Sequence, residues 1–282
     1  MQRHANGHKN GPQNGQHDGQ TDGQTDGLNR RRPGVVGGLL LAGYQTAAFY
    51  VILLAFWAGT LAWTLCASVL VWFLPVRRGA VIGQYVTMLS FRGFVGAMCA
   101  SGIVKCDLTA LDALRAEGGI VIAPNHPSLL DAVLVISRLP RVVCITKASL
   151  WDNPFLGGSV RLSRYIRNDS PLVLVREAAR QIKAGRQLLI FPEGTRTIRP
   201  PVNDFKGGFA LMAKLAGAPV QTVFIETNSL YLSKGWPLFR KPPLPLVYRA
   251  RLGRRFEVEG NVGEFVTRLE AYFRAELADK PA

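Results

Sequence analysis

Hydrophobic and polar positions divide the chain into three unequal parts. Residues 1–32 contain no apolar run and are rich in Gly, Gln, Asn, Asp and His, with a small repeat at His17-Asp18-Gly19-Gln20 and Thr21-Asp22-Gly23-Gln24. That composition cannot bury a core, so a disordered polar tail is expected. Residues 34–75 carry no charge at all. As one straight helix this run measures roughly 60 Å, about twice the hydrocarbon thickness of a bilayer. The expectation is a membrane-embedded helical hairpin over 33–78, with a single spanning helix as the alternative. Arg30 to Arg32 precede the run and Arg77-Arg78 follow it, which places both ends on the cytoplasmic side of a membrane, the inner membrane in a bacterium. The run is too long and starts too late for a cleaved signal peptide.

The third part, 79–282, alternates short apolar stretches with amphipathic ones. Residues 81–102 read as a helix at the membrane surface or as the first helix of the domain. Residues 119–123, 142–145, 188–191 and 220–225 read as buried strands, and 247–251 and 256–258 as more exposed ones. Residues 132–136 form a helix with Pro127 in its first turn, and Ser170-Pro171 opens another that runs to Lys183 and stops at Gly185. A third helix covers 205–216. Phe265, Leu269, Tyr272, Phe273 and Leu277 fall at helical spacing, giving a C-terminal amphipathic helix. Strands alternating with helices predict an α/β domain with a mixed, largely parallel sheet flanked by helices.

Charge and composition narrow the partners. The net charge is +15, from 34 Lys and Arg against 19 Asp and Glu, and 48% of residues are apolar. An anionic partner is expected. The basic residues are scattered and the long apolar run points to lipid, so no nucleic-acid partner is expected. The four cysteines, Cys66, Cys99, Cys106 and Cys144, form no C-x-x-C pair. Neither a disulfide framework nor a metal site is expected from them.

Two stretches carry the candidate chemistry. The first is Asn125-His126-Pro127-Ser128-Leu129-Leu130-Asp131, at a strand-to-helix junction. Within one helix, positions i and i+5 lie about 140° apart, so His126 and Asp131 meet only if His126 precedes the helix. His4, His8 and His17 lie in the tail, so a histidine base in the folded part must be His126. An imidazole is a suitable general base, and a carboxylate on its other ring nitrogen fixes the tautomer. The second stretch, Phe191-Pro192-Glu193-Gly194-Thr195-Arg196, follows a strand and supplies an acceptor, a close-approach backbone and a guanidinium fork suited to phosphate.

Together the two stretches resemble the glycerolipid acyltransferases, the lysophosphatidate (1-acylglycerol-3-phosphate) acyltransferase family. Between and after them, Lys147 with Pro154, Phe155 and Gly157, then Tyr165-Ile166-Arg167, Phe205-Lys206-Gly207-Gly208 and Ala218-Pro219-Val220 are similar to that family's further blocks, in order, over about 104–227. Two segments depart from its pattern: Gly158-Ser159-Val160-Arg161 upstream of the second block, and Gln221-Thr222 where a second proline is common.

The resemblance implies a membrane-bound O-acyltransferase that moves a fatty acyl group from acyl-CoA or acyl carrier protein to the free hydroxyl of a lysophospholipid, with lysophosphatidate as the expected acceptor. His126 is then the base and Asp131 its orienting partner. Asn125, Arg167, Glu193, Gly194, Thr195 and Arg196 bind substrate, with Lys147 and Lys206 as further cations. No cofactor is implied beyond the thioester co-substrate. Oxyanion donors are expected among the backbone N–H groups of residues 126–130. The competing readings are the same reaction on a lyso-aminolipid or specialised lipid, and an inactive lipid-binding membrane protein.

Overall fold

A computed structural model describes residues 35–153 and 157–278. The expected disordered tail, and Pro154 and Phe155, lie outside the described residues. The uncharged run forms one uninterrupted helix, α1 (Val35–Phe73), about 58 Å long at the usual rise. The hairpin expected inside 33–78 is therefore corrected. The chain does not reverse at Gly59, because a lone glycine costs a helix only about 1 kcal/mol against alanine. It turns at Pro75, which heads α2 (Val76–Ala100) and has no N–H to continue α1.

The two faces of α1 differ in environment but not in polarity. Phe49, Thr64 and Ala67 are buried against the domain, and Phe56 packs on Phe91 and Phe94 of α2. Leu40, Val51, Leu54, Leu65, Val69 and Trp72 are all exposed. At 3.6 residues per turn their spacing returns to one side of the helix, opposite Phe49 and Ala67.

The rest is a three-layer α/β domain, as expected. In chain order it contains β1 (Val104–Asp107), a 3₁₀ turn (Thr109–Leu114), β2 (Ile120–Pro124), α3 (Leu130–Ile136), β3 (Val142–Lys147), α4 (Ala148–Trp151), α5 (Gly157–Leu162), β4 (Ile166–Asn168), α6 (Pro171–Lys183), β5 (Gln187–Leu189), α7 (Gly208–Ala216), β6 (Val220–Thr227), β7 (Leu246–Phe256) and α8 (Val262–Ala278). The sheet order is β1-β7-β6-β2-β5-β3-β4. All pairs are parallel except β6–β7. Along β2, Ile120 and Ile122 face the layer of α1, α2 and α3, whereas Val121 and Ala123 face α6, α7 and α8.

Three boundaries differ from the sequence pattern. Pro127 precedes α3 by three residues instead of opening it, because Ser128 and Leu129 form a turn. Helix α7 begins at Gly208, since the backbone of Phe205 and Lys206 bonds Glu270 and Pro192. The strands expected at 247–251 and 256–258 are one, β7. Gly253 sits inside it because a Cβ there would collide with Thr222 Oγ1 and the Phe224 ring.

The close approach of α5 to α1 is set by Gly158, where a Cβ would collide with Ser68 Oγ and the Thr64 carbonyl. Gly158→Ala is expected to lower stability by about 1–3 kcal/mol through overpacking. Gly59→Ala, in open space on the same helix α1, is expected to be neutral or slightly stabilising. Thermal melts of both variants in one detergent check this, and equal melting points would refute the packing account.

Candidate active site

The carboxyl ends of the parallel strands gather the candidate residues, as the topology of such sheets favours. His126 follows β2, Glu193 to Arg196 follow β5, Lys147 ends β3 and Arg167 lies in β4. His126 Nδ1 lies 2.9 Å from Asp131 Oδ2, and the same oxygen accepts the Ser128 N–H at 2.7 Å. The turn at 127–129 thus brings i and i+5 together, as the spacing argument requires. The His126 ring stacks on Phe191, centroids 3.7 Å apart and planes 14° from parallel. Nδ1 is occupied by Asp131, and Nε2 makes no hydrogen bond among the described residues, so Nε2 is the nitrogen free to exchange a proton.

Asp131 is fully buried, and burial pushes its carboxyl up to about 6 despite the opposing His126 ring and Ser128 N–H. Its second oxygen, Oδ1, has no hydrogen-bond partner among the described residues, which makes the ionised form costly.

The backbone of His126 is held from both sides by the second motif. Glu193 Oε1 accepts the His126 N–H at 2.9 Å, and the Thr197 N–H donates to the His126 carbonyl at 2.7 Å. Glu193 is 1% exposed. Its two oxygens also accept from Thr197 Oγ1 and from the Asn203 N–H at 2.8 Å. Glu193, for which the resemblance implies a substrate contact, has both oxygens engaged by protein donors and holds the His126 backbone. Asn125 is engaged in the same way. Its side chain donates to the Ile225 carbonyl at 2.9 Å and accepts the Ile225 N–H at 2.7 Å, pairing with β6 just past Pro124. The oxyanion expectation for residues 126–130 also fails. The N–H groups of His126, Ser128, Leu129 and Leu130 go to Glu193, Asp131, the Leu232 carbonyl and Ser128 Oγ, and Pro127 has none.

The remaining candidates divide by position. Gly194 turns the chain at φ +69° beside the Lys206 side chain, with Thr195 exposed next to it. Arg196 Nη1 donates to the Leu232 and Ser233 carbonyls at 2.8 and 2.9 Å. Lys147 is exposed, and Arg167 pairs with Asp152 and Asp169. The register sets Arg167 level with Pro124 three strands away, about 14 Å at the usual strand spacing. His126, Asp131, Glu193, Gly194, Arg196 and Lys206 therefore cluster, while Arg167 and Lys147 stand apart. Sequence reasoning missed Thr197, Asn203 and the 231–233 segment. Nothing in their local pattern marks them, because their role is to bind motif backbone from a distance.

Next to this cluster lies an apolar cavity of about 260 Å³ between α1, α2, α3 and the 231–238 segment. Leu129 and Leu130, within the His126–Asp131 turn, form part of its wall, facing Phe56, Trp57 and Phe94.

Asp131→Asn is expected to leave the fold intact. A carboxyl raised in the folded state favours folding most below its unfolded value near 3.8 and loses that advantage as pH rises through about 6. The ionised Asp131 is therefore a cost at pH 8, and the variant should melt at an equal or higher temperature there, by up to about 3 kcal/mol. The difference should vanish near pH 4. A variant less stable than the parent at pH 8 would contradict this.

Comparison with known proteins agrees with the geometry. Residues 105–226 match the acyltransferase family model. A 1-acyl-sn-glycerol-3-phosphate acyltransferase of Pseudomonas aeruginosa is 25% identical over 173 residues, covering 58% of this chain and 65% of that protein. Lysophosphatidylcholine acyltransferase 1 of Rattus norvegicus is 33% identical over 138 residues, covering 45% of this chain and 24% of that one. The chain spans about half to two thirds of the length of 1-acyl-sn-glycerol-3-phosphate acyltransferases it matches. The crystal structure of the 1-acyl-sn-glycerophosphate acyltransferase PlsC from Thermotoga maritima shares the fold, with a TM-score of 0.58 at 19% identity over 88% of this chain and 98% of that one. Residues 105–226, which contain the His126–Asp131 pair and the Glu193–Arg196 turn, thus form a domain of the acyltransferase family, similar to the 1-acyl-sn-glycerol-3-phosphate acyltransferases.

Proposed function

We propose that this protein is a membrane-bound O-acyltransferase that acylates the free hydroxyl of a lysophospholipid from a thioester donor, acyl-CoA or acyl carrier protein. The observation that carries the reading is the His126–Asp131 pair, with Nε2 free, on a turn whose Leu129 and Leu130 line an apolar cavity. The acceptor hydroxyl gives its proton to Nε2 as its oxygen attacks the thioester carbonyl. Collapse of the tetrahedral adduct expels the thiolate, which takes that proton back from the imidazolium. Asp131 holds the Nδ1–H and stabilises the imidazolium. With the 126–130 amides engaged, the adduct's negative charge falls to the turn beside Phe191, where the N–H groups of Thr195 and Arg196 make no hydrogen bond among the described residues.

Lysophosphatidate is the proposed acceptor. Lys206 and the Arg196 guanidinium supply charge beside the pair, and the match to 1-acyl-sn-glycerol-3-phosphate acyltransferases supports the assignment. A lysophosphatidylcholine acceptor is the second reading, favoured by the similarity to the rat enzyme. The apolar cavity fits an acyl chain. The exposed apolar stripe of α1 is the membrane contact. Because the opposite face packs on the domain from Phe49 to Ala67, α1 lies along the membrane surface in place of crossing it. Both donors are cytoplasmic, which puts the site on that side.

His126→Ala is expected to lower turnover on the order of 10²-fold or more with little change in KM. Activity should fall below about pH 6, where Asp131 takes up a proton. Turnover assays with lysophosphatidate and lysophosphatidylcholine, from pH 5 to 8, test mechanism and acceptor together. Near-normal turnover in folded His126→Ala protein would refute the mechanism. Leu54→Lys with Leu65→Lys should release the protein from vesicles while its melting point holds; a protein that stays bound would refute the α1 placement.

A further inference from the structure

A groove of about 940 Å³ runs along the β4 edge of the sheet, between the start of α2 and the length of α6. Five arginines line it, Arg77, Arg164, Arg167, Arg180 and Arg186, against two carboxylates, Asp169 and Glu177. Both acids are already paired, Asp169 with Arg167 and Glu177 with Arg180. Among the described residues, Arg77, Arg164 and Arg186 have no carboxylate within salt-bridge distance. The Arg186 guanidinium is fixed by a 2.7 Å bond to Gln84, which is itself 2% exposed and bonds the Ser163 carbonyl at 2.9 Å. Burial and the neighbouring Arg141 hold Arg186 below its usual range. Arg164 is held at φ +55°, a backbone conformation rare for side-chain-bearing residues. Cations crowded together in this way, one of them part-buried, are costly unless an anion offsets them.

Two further features describe the ligand. Val76 and Val81 of α2 and Val173 of α6 line the same groove and are exposed, so the ligand meets apolar side chains as well as charge. The upper end of the groove, at Arg167, lies about 14 Å from the β2 level below His126. An extended pantetheine arm spans that distance.

We propose that this groove is a second anion site, which binds the phosphate groups of an acyl-bearing amphiphile while its reactive end or its acyl chains lie elsewhere. The spacing fits the nucleotide end of acyl-CoA; the headgroup of an anionic phospholipid has the same chemistry. The proposal rests on the acyltransferase reading for its donor and not for the site itself.

The test uses the full chain and the double variant Arg77→Gln with Arg164→Gly. The glycine removes a guanidinium and relieves the positive φ, so folding is retained. Titration with 3′-phosphoadenosine 5′-diphosphate, which has neither thioester nor acyl chain, reports nucleotide binding directly. Flotation on phosphatidylcholine vesicles, with and without phosphatidylglycerol, reports the anionic headgroup. A nucleotide affinity weakened about 10-fold or more, with a raised KM for acyl-CoA and unchanged kcat, assigns the groove to the donor. Unchanged nucleotide affinity with loss of the extra binding that phosphatidylglycerol confers assigns it to lipid. If both measurements are unchanged, the site is overturned. Should the unsubstituted protein acylate no lysolipid yet bind the nucleotide through these arginines, the function reading fails and the groove stands.

Discussion

The buried carboxylate of Glu193 is the interaction on which the site depends. An imidazole on a loop needs its backbone fixed before its ring can be aimed. Here the loop after β2 is tied to the loop after β5 through one side chain that also gathers Thr197 and Asn203. Arg196 extends the tie to the Leu232 and Ser233 carbonyls, and Ser128 donates its hydroxyl to the Tyr231 carbonyl. Three segments distant in sequence therefore meet around His126. The ring is fixed in turn by Phe191 on its face and Asp131 at its edge. Glu193, whose type suggests ligand contact, thus has its oxygens turned to the backbone that carries His126.

The architecture was legible because burial follows periodicity. Strands flanked by helices on both faces, the Ser170-Pro171 start and Gly185 stop of α6, and the apolar positions of α8 all leave local signals, and each lies where it was expected. The His126–Asp131 pair was legible for a sharper reason: i and i+5 meet only across a turn, and Pro127 allows one. The partners of Asn125, Glu193 and Arg196 were not legible. A carboxylate or guanidinium has the same identity whether it faces a ligand or a distant backbone group, and only tertiary structure decides.

The two departures from the family pattern have structural roles. Gly158 lets α5 approach α1 closely. Gln221 and Thr222 bond the Gly253 and Arg254 carbonyls where the β6–β7 register shifts. Neither touches the His126 cluster. The hairpin expectation failed for a related reason. Composition reports that a segment is apolar but not which side of it is already occupied, and α1 uses one side for the domain.

The pairing of Asn125 with β6 has a kinetic consequence. Pro124 and Asn125 complete their alignment only through Ile225, a hundred residues later, and Ser128 waits for Tyr231, 103 residues away. Closing loops of that length is slow and comes late in folding. On the ribosome, β2, β3 and β5 emerge before their central neighbour β6 exists, so the His126 loop stays unfixed until most of the domain has been made. By then α1 and α2 have long been made, so the exposed apolar stripe of α1 exists well before the His126–Asp131 pair is fixed.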